Sequence, residues 1–225
     1  MRGTPLLYYG GKYLTYITAK LFFGYEVLNP EYVPDNGPFI IASNHVSYYD
    51  PNLVGTASPR ACHFMAKKEL FTNKKIGWIL RNVNAIPVNR QAADIESIKT
   101  VLSVLKKNEG LVMFPEGTRS RDGKLGKVKS GIGMIAVRSG AAVVPAYIKN
   151  SEKPFKNRLT GKRVIVTFAK PIKPDYYKDL PPGKDGYRMV AAELERRIKL
   201  LKENIDNSVN TGEMERKLME EKEYS

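Results

Sequence analysis

Cysteine is nearly absent: Cys62 stands alone among 225 residues, so the chain can build neither a disulfide framework nor a cysteine-rich zinc site. That fits a reducing compartment, and Cys62 itself reads as a small core residue on a strand. Histidine is as scarce, with only His45 and His63, and the scattered carboxylates give no metal-ligand spacing. Long uncharged runs are missing too. No stretch approaches the ~20 apolar residues that cross a bilayer. A clean secretory signal is also lacking, because Lys12 splits the apolar region and no small-residue cleavage site precedes Glu26. Internal repeats and low-complexity linkers do not occur.

What the chain does contain is enough to bury a core. It is 42% hydrophobic and 10% aromatic, a composition and length that suit one α/β domain or at most two small ones. Acidic residues are in deficit: 37 Lys and Arg face 23 Asp and Glu, for a net charge of +14. The last 25 residues hold 4 basic and 7 acidic groups, so residues 1–200 carry an excess of 17 basic ones. Such an excess favours an anionic partner, and composition alone does not choose among nucleic acid, phosphorylated metabolites and an acidic membrane face.

Residues 1–25 contain no acid, and Leu14, Ile17 and Leu21 share one face at helical spacing, flanked by tyrosines. Gly10-Gly11 weakens a helix there. The segment reads as an interfacial helix with Lys12 and Lys20 reaching outward, or as a helix packed on the protein's own core. Downstream, short apolar runs at 39–42, 62–65, 85–88, 111–114, 143–148 and 164–168 read as strands buried on both faces. Helical patterns at 67–82, 92–107, 130–139 and 185–204 separate them. The fold class expected is therefore α/β: a central, mostly parallel sheet covered by helices, with an N-terminal amphipathic helical segment and functional groups at strand ends. From Glu203 onward, with a helix-poor break at 207–212, the chain reads as a solvated tail.

Two constellations carry chemistry. Ser43-Asn44-His45-Val46-Ser47-Tyr48-Tyr49-Asp50-Pro51 follows the first strand. On a continuous helix His45 and Asp50 would stand about 140° apart, so they meet only across a turn. Pro51 at a helix start and Asp50 at its N-cap supply one. The carboxylate then orients one imidazole nitrogen while the other takes a proton from a hydroxyl; the alternative is that Asp50 merely caps a helix. Phe114-Pro115-Glu116-Gly117-Thr118-Arg119-Ser120 follows another strand. Here Gly117 permits close backbone approach, Arg119 suits a phosphate or carboxylate, and Glu116 suits a substrate hydroxyl or a neighbouring arginine. Residues 119–129 hold five basic residues and one acid and read as a flexible basic loop. Pro87-Val88-Asn89-Arg90 sets a further arginine after a strand.

Together Asn44-His45-x4-Asp50, Pro87-Val88-Asn89-Arg90, Phe114–Ser120 and Val144-Pro145-Ala146-Tyr147-Ile148 resemble the four ordered blocks of the glycerolipid acyltransferases, in particular the 1-acylglycerol-3-phosphate acyltransferase group. The resemblance spans about residues 37–170 and includes Ala66-Lys67-Lys68-Glu69-Leu70. Where that family often has glycine in its second block this chain has Asn84-Ala85, and Asn tolerates the positive φ of a turn. Where an acid often precedes the arginine, it has Asn89.

The resemblance implies transfer of a fatty acyl group from a thioester, on coenzyme A or acyl carrier protein, to the sn-2 hydroxyl of 1-acyl-sn-glycerol-3-phosphate. Glycerol-3-phosphate or another lysophospholipid is the alternative acceptor. It implies His45 as general base with Asp50 as its partner, acceptor binding by Arg90, Glu116, Gly117 and Arg119, and a weaker phosphate contact from Lys129. Neither a metal nor a cofactor is expected beyond the acyl donor. The expected partners are a lysophospholipid, the donor and an anionic membrane surface; nucleic acid is not among them, because Trp78 and most Phe residues lie in apolar runs. The implied organisation is a membrane-interfacial segment at 1–30, an acyltransferase domain at 31–204 and a charged tail at 205–225. The implied location is peripheral, at the cytoplasmic face of a membrane.

Overall fold

The structure, a computed structural model, describes residues 5–89, 95–120 and 122–211. In chain order the elements are α1 (Pro5–Phe23), β1 (Glu26–Leu28), β2 (Phe39–Ser43), α2 (Asp50–Ala57), β3 (Cys62–Lys67), α3 (Lys74–Asn82), β4 (Ala85–Val88), α4 (Ile95–Lys106), β5 (Gly110–Met113), α5 (Gly131–Ser139), β6 (Ala142–Lys149), α6 (Pro154–Leu159), β7 (Ile165–Phe168), α7 (Asp175–Lys178) and α8 (Lys184–Thr211). The strands form one sheet in the order β1-β7-β6-β2-β5-β3-β4. All neighbours are parallel except β6 and β7. The near-continuous apolar runs are explained by burial on both faces: every residue of β2 is buried.

Two cores sandwich the sheet. One gathers Ile40, Val101, Leu105, Leu111, Ile132, Ala136, Val190 and Leu194, under α4, α5 and α8. The other gathers Ala19, Phe23, Tyr25, Phe39, Ile41, Leu53, Val54 and Val144, under α1 and α2. Gly133 lets α5 press onto α8, since a Cβ there would stand 2.1 Å from the Tyr187 carbonyl oxygen.

The topology places the site. Parallel crossovers are right-handed, so β2-α2-β3 and β3-α3-β4, which progress one way across the sheet, put α2 and α3 on one face. β4-α4-β5 and β5-α5-β6, which progress the other way, put α4 and α5 on the opposite face. The chain leaving β2 and the chain leaving its neighbour β5 therefore diverge to opposite faces. That opens a crevice at the carboxyl ends of both strands, where open α/β sheets bind ligands.

Three expectations change. Helix α1 runs straight through Gly10-Gly11 and is both packed and exposed: Tyr8, Ala19 and Phe23 are buried while Leu14 and Leu21 face solvent. Lys12 does not reach outward; its ammonium donates to the Ser58 carbonyl, and burial lowers its pKa. Helix α8 continues through 207–211 rather than ending near Glu203, with Ile205 buried and Asp206 paired to Lys149 and Lys202. A short edge strand, β1, is present that the sequence pattern did not suggest. Asn84 does take the left-handed conformation, at φ 61°.

Candidate active site

At the end of β2 the main chain must leave the sheet, and Asn44 manages the exit. Its Oδ1 accepts from the Ile148 amide at 2.8 Å and its Nδ2 donates to the Ile148 carbonyl at 3.0 Å. The side chain thus replaces one rung of the β2–β6 ladder and frees the backbone to turn at His45. The following turn closes on Asp50. Its Oδ2 accepts from the His45 ring Nδ1 at 2.8 Å and from the amides of Val46 and Ser47, each at 2.7 Å. Its Oδ1 accepts from the Ser151 hydroxyl at 2.5 Å.

Asp50 is therefore not a helix N-cap. Tyr49 occupies that position and Asp50 lies within the first turn, its carboxylate directed back at the preceding loop. It is fully buried, and with all four donors spent on it the buried charge is satisfied rather than orphaned. Such a carboxylate is an acceptor throughout, which assigns the ring proton to Nδ1 and leaves a lone pair on Nε2. Among the described residues no buried side-chain nitrogen or oxygen lacks a partner, and nothing bonds to Nε2, so Nε2 reaches solvent.

The segment after β5 clamps His45 from the other side. The Ser120 amide donates to the His45 carbonyl at 2.8 Å, and the His45 amide donates to Glu116 Oε1 at 3.3 Å. Phe114 stacks on the imidazole with centroids 4.2 Å apart. Both Glu116 oxygens are thus engaged with main chain, since Oε2 accepts from Gly126 at 3.0 Å. A Cβ on Gly126 would come within 2.6 Å of that oxygen. Burial raises the Glu116 pKa, against the two amide bonds that lower it. Glu116 thus ties the segment after β5 to the main chain at His45 and Gly126, and among the described residues it forms no ion pair with an arginine.

The cations stand at the rim. Phe114 to Gly117 forms a tight turn closed by the Gly117 amide on the Phe114 carbonyl at 3.0 Å, and Gly117 sits at φ 80°. Lys129 donates its amide to the Pro115 carbonyl at 3.1 Å, and its ammonium lies 2.6 Å from where a Cβ on Gly117 would be. Arg119 stacks on the exposed Tyr48 ring at 3.4 Å. The loop expected to be flexible is pinned at its far end, where Val128 is buried and its amide donates to Glu195 of α8 at 3.1 Å.

His45, Asp50 and Glu116 are thus joined by hydrogen bonds, with Gly117, Arg119 and Lys129 on the adjoining turn and loop. Arg90 lies outside the described residues. Sequence reasoning missed Ser151 and the structural duty of Asn44. Ser151 is 101 residues from Asp50 along the chain, and only its place just after β6, a strand adjoining β2, hints at the contact. His63 lies elsewhere, its Nε2 2.8 Å from Glu109 Oε2, and burial lowers its pKa despite that carboxylate.

A family model described as Acyltransferase matches residues 24–149, which takes in every element lining the crevice except Ser151. This chain belongs to the acyltransferase family. The acyltransferase is 33% identical over 191 residues to a 1-acyl-sn-glycerol-3-phosphate acyltransferase of Bacillus subtilis, covering 84% of this chain and 94% of that protein. It is 30% identical over 178 residues to the protein of that name from Streptococcus pneumoniae, covering 78% of this chain and 65% of the relative. Among solved structures it resembles the 1-acyl-sn-glycerophosphate (LPA) acyltransferase PlsC of Thermotoga maritima, with a TM-score of 0.68 and 25% identity, over 86% of this chain and 79% of that one. The mostly parallel sheet of the acyltransferase, flanked by helices, is the α/β architecture expected from its sequence.

Proposed function

We propose that this acyltransferase moves a fatty acyl group from an acyl thioester to the sn-2 hydroxyl of 1-acyl-sn-glycerol-3-phosphate, making phosphatidic acid for phospholipid synthesis at a membrane surface. The observation that carries the reading is the His45–Asp50 pair. A buried, fully satisfied carboxylate holds one imidazole nitrogen and the other opens to a crevice rimmed by Arg119 and Lys129.

In the reaction Nε2 of His45 takes the hydroxyl proton as the oxygen attacks the thioester carbonyl carbon. The tetrahedral oxyanion collapses, the C–S bond breaks, and the imidazolium returns the proton to the departing thiolate. Thioesters are activated donors, so no acyl-enzyme is needed. Asp50 stabilises the transient imidazolium. Arg119 and Lys129 bind the acceptor phosphate and thereby hold the hydroxyl in place; both bonds are charge-assisted. Glu116 positions His45 through its main chain. Coenzyme A and acyl carrier protein are both acidic, and the basic surface of the chain suits either.

Membrane association accords with Leu14 and Leu21 exposed on α1 and with a net charge of +14. None of the helices among the described residues is long and apolar enough to cross a membrane. An acceptor panel tests the proposal: glycerol-3-phosphate, its 1-acyl form and neutral lysolipids, each with both donor types. Fastest turnover is expected on the 1-acyl phosphate, and preference for a neutral lysolipid would refute the phosphate assignment.

A further inference from the structure

Residues 67–82 hold five basic residues and one acid, and they connect β3 to β4 through a 3-10 turn (Lys68–Phe71) followed by α3. Large apolar side chains stand out in water there: Leu70 is 44% exposed, Ile76 45%, Trp78 56% and Ile79 54%. Lys75, Trp78, Ile79 and Asn82 fall at i, i+3, i+4 and i+7, so one stripe of α3 mixes apolar groups with a cation. The inward side is set by Gly77, where a Cβ would lie 2.7 Å from the Phe71 carbonyl oxygen. Lys67, Lys68, Lys74, Lys75 and Arg81 are all exposed, and none is in an ion pair among the described residues. Among the described residues none covers this stripe.

Its place is informative. The 3-10 turn begins where β3 ends, at the sheet edge that carries His45, and α3 lies on the same face as α2, which α1 covers. Apolar side chains projecting among unpaired cations match an anionic bilayer surface, which accepts the apolar groups below its phosphates and attracts each Lys or Arg.

We propose that the 68–82 segment is a second docking surface for an anionic bilayer, separate from α1, which seats the crevice mouth against the lipid. This inference rests on the membrane-surface reading above. Two contacts at different places on one face fix an orientation that a single helix does not.

Trp78 is the sole tryptophan, so its emission reports on this segment alone. The full chain is titrated with phosphatidylglycerol vesicles, with phosphatidylcholine vesicles and with phosphatidylglycerol vesicles doped with brominated lipid, while co-sedimentation is followed in parallel. A blue shift with the anionic vesicles, quenched by the brominated chains and weak with phosphatidylcholine, is expected. The Lys74→Ala, Lys75→Ala double variant should bind anionic vesicles roughly thirtyfold more weakly at low salt, with unchanged turnover on detergent-dispersed acceptor.

Co-sedimentation without any change in Trp78 emission would overturn the second surface and leave membrane attachment through α1 standing. Loss of both signals would overturn the membrane reading as well. A blue shift on adding monomeric acyl thioester without vesicles would assign the stripe to an acyl chain instead. A shift that depends on protein concentration alone would assign it to a second copy.

Discussion

At the residue scale the site is held together by main-chain hydrogen bonds more than by side-chain pairing. Four donors on Asp50 mean that its replacement has two effects. Asp50→Asn keeps the shape but presents an NH2 group to a ring of donors, so at least one buried donor loses its acceptor. That costs about 1–3 kcal/mol of stability, and the misoriented imidazole lowers kcat by roughly 10²-fold or more. A denaturant melt and steady-state kinetics on the same sample check both. Gly117→Ala tests the rim. A side chain at φ 80° costs about 1–2 kcal/mol, and the added methyl must displace the Lys129 ammonium that lies over Gly117. The KM for the phosphorylated acceptor should rise several-fold with kcat little changed; an unchanged KM would remove Lys129 from phosphate binding.

At the element scale, the strands after which the motifs stand were legible because strands buried on both faces must be continuously apolar, as β2, β5 and β6 are. The long helices α4, α5 and α8 were legible from their apolar stripes. Less of the turn chemistry was. Asp50 reads as a helix cap because Pro51 follows it, whereas the Val46 and Ser47 amides of the preceding loop and the distant Ser151 hydroxyl claim its carboxylate. Glu116 reads from the sequence as a partner for a substrate hydroxyl or an arginine, and the structure adds that its two oxygens accept from main-chain amides of different segments. Contacts set by the meeting of separate loops leave no local trace. The extent of α8 was misjudged for a similar reason: burial of Ile205 and the pairing of Asp206 hold a helix that its Asn-rich sequence would not favour.

Two further expectations belong to elements. On α8, Arg196 holds the Glu193 carboxyl down at about 2, with Arg197 adding to the effect. A carboxyl with a depressed folded pKa adds stability above its unfolded value, and loses it as pH falls through the folded one. Glu193→Gln should therefore lower Tm at pH 7, by an amount that salt reduces, and the difference should shrink as the pH falls toward 2. On α1, Tyr8, Ala19 and Phe23 belong to the core while Leu14 and Leu21 do not. Truncating the helix would thus unfold and detach at once, so Leu14→Glu with Leu21→Glu is the sharper test. Vesicle binding should fall while folding stability stays within about 1 kcal/mol of the parent's; unchanged co-sedimentation would exclude α1 as a contact.

At the scale of the whole molecule, the fold divides the charge surplus. A few cations at the rim of a crevice, where connections leave β2 and β5 for opposite faces, suit a phosphate. Others stand unpaired among exposed apolar side chains, as on α3. On the proposed reading that arrangement sets a proton acceptor beside an anion site on a molecule fitted to a lipid surface, and vesicle binding should weaken with added salt. Everything depends on Nε2 of His45 taking the acceptor's proton. The decisive measurement is single-turnover formation of phosphatidic acid by His45→Ala against the parent chain, at saturating acyl thioester and 1-acyl-sn-glycerol-3-phosphate. The account requires a loss of about 10²–10⁴ in rate with Tm and acceptor binding preserved, and turnover within a few-fold of the parent chain would contradict it.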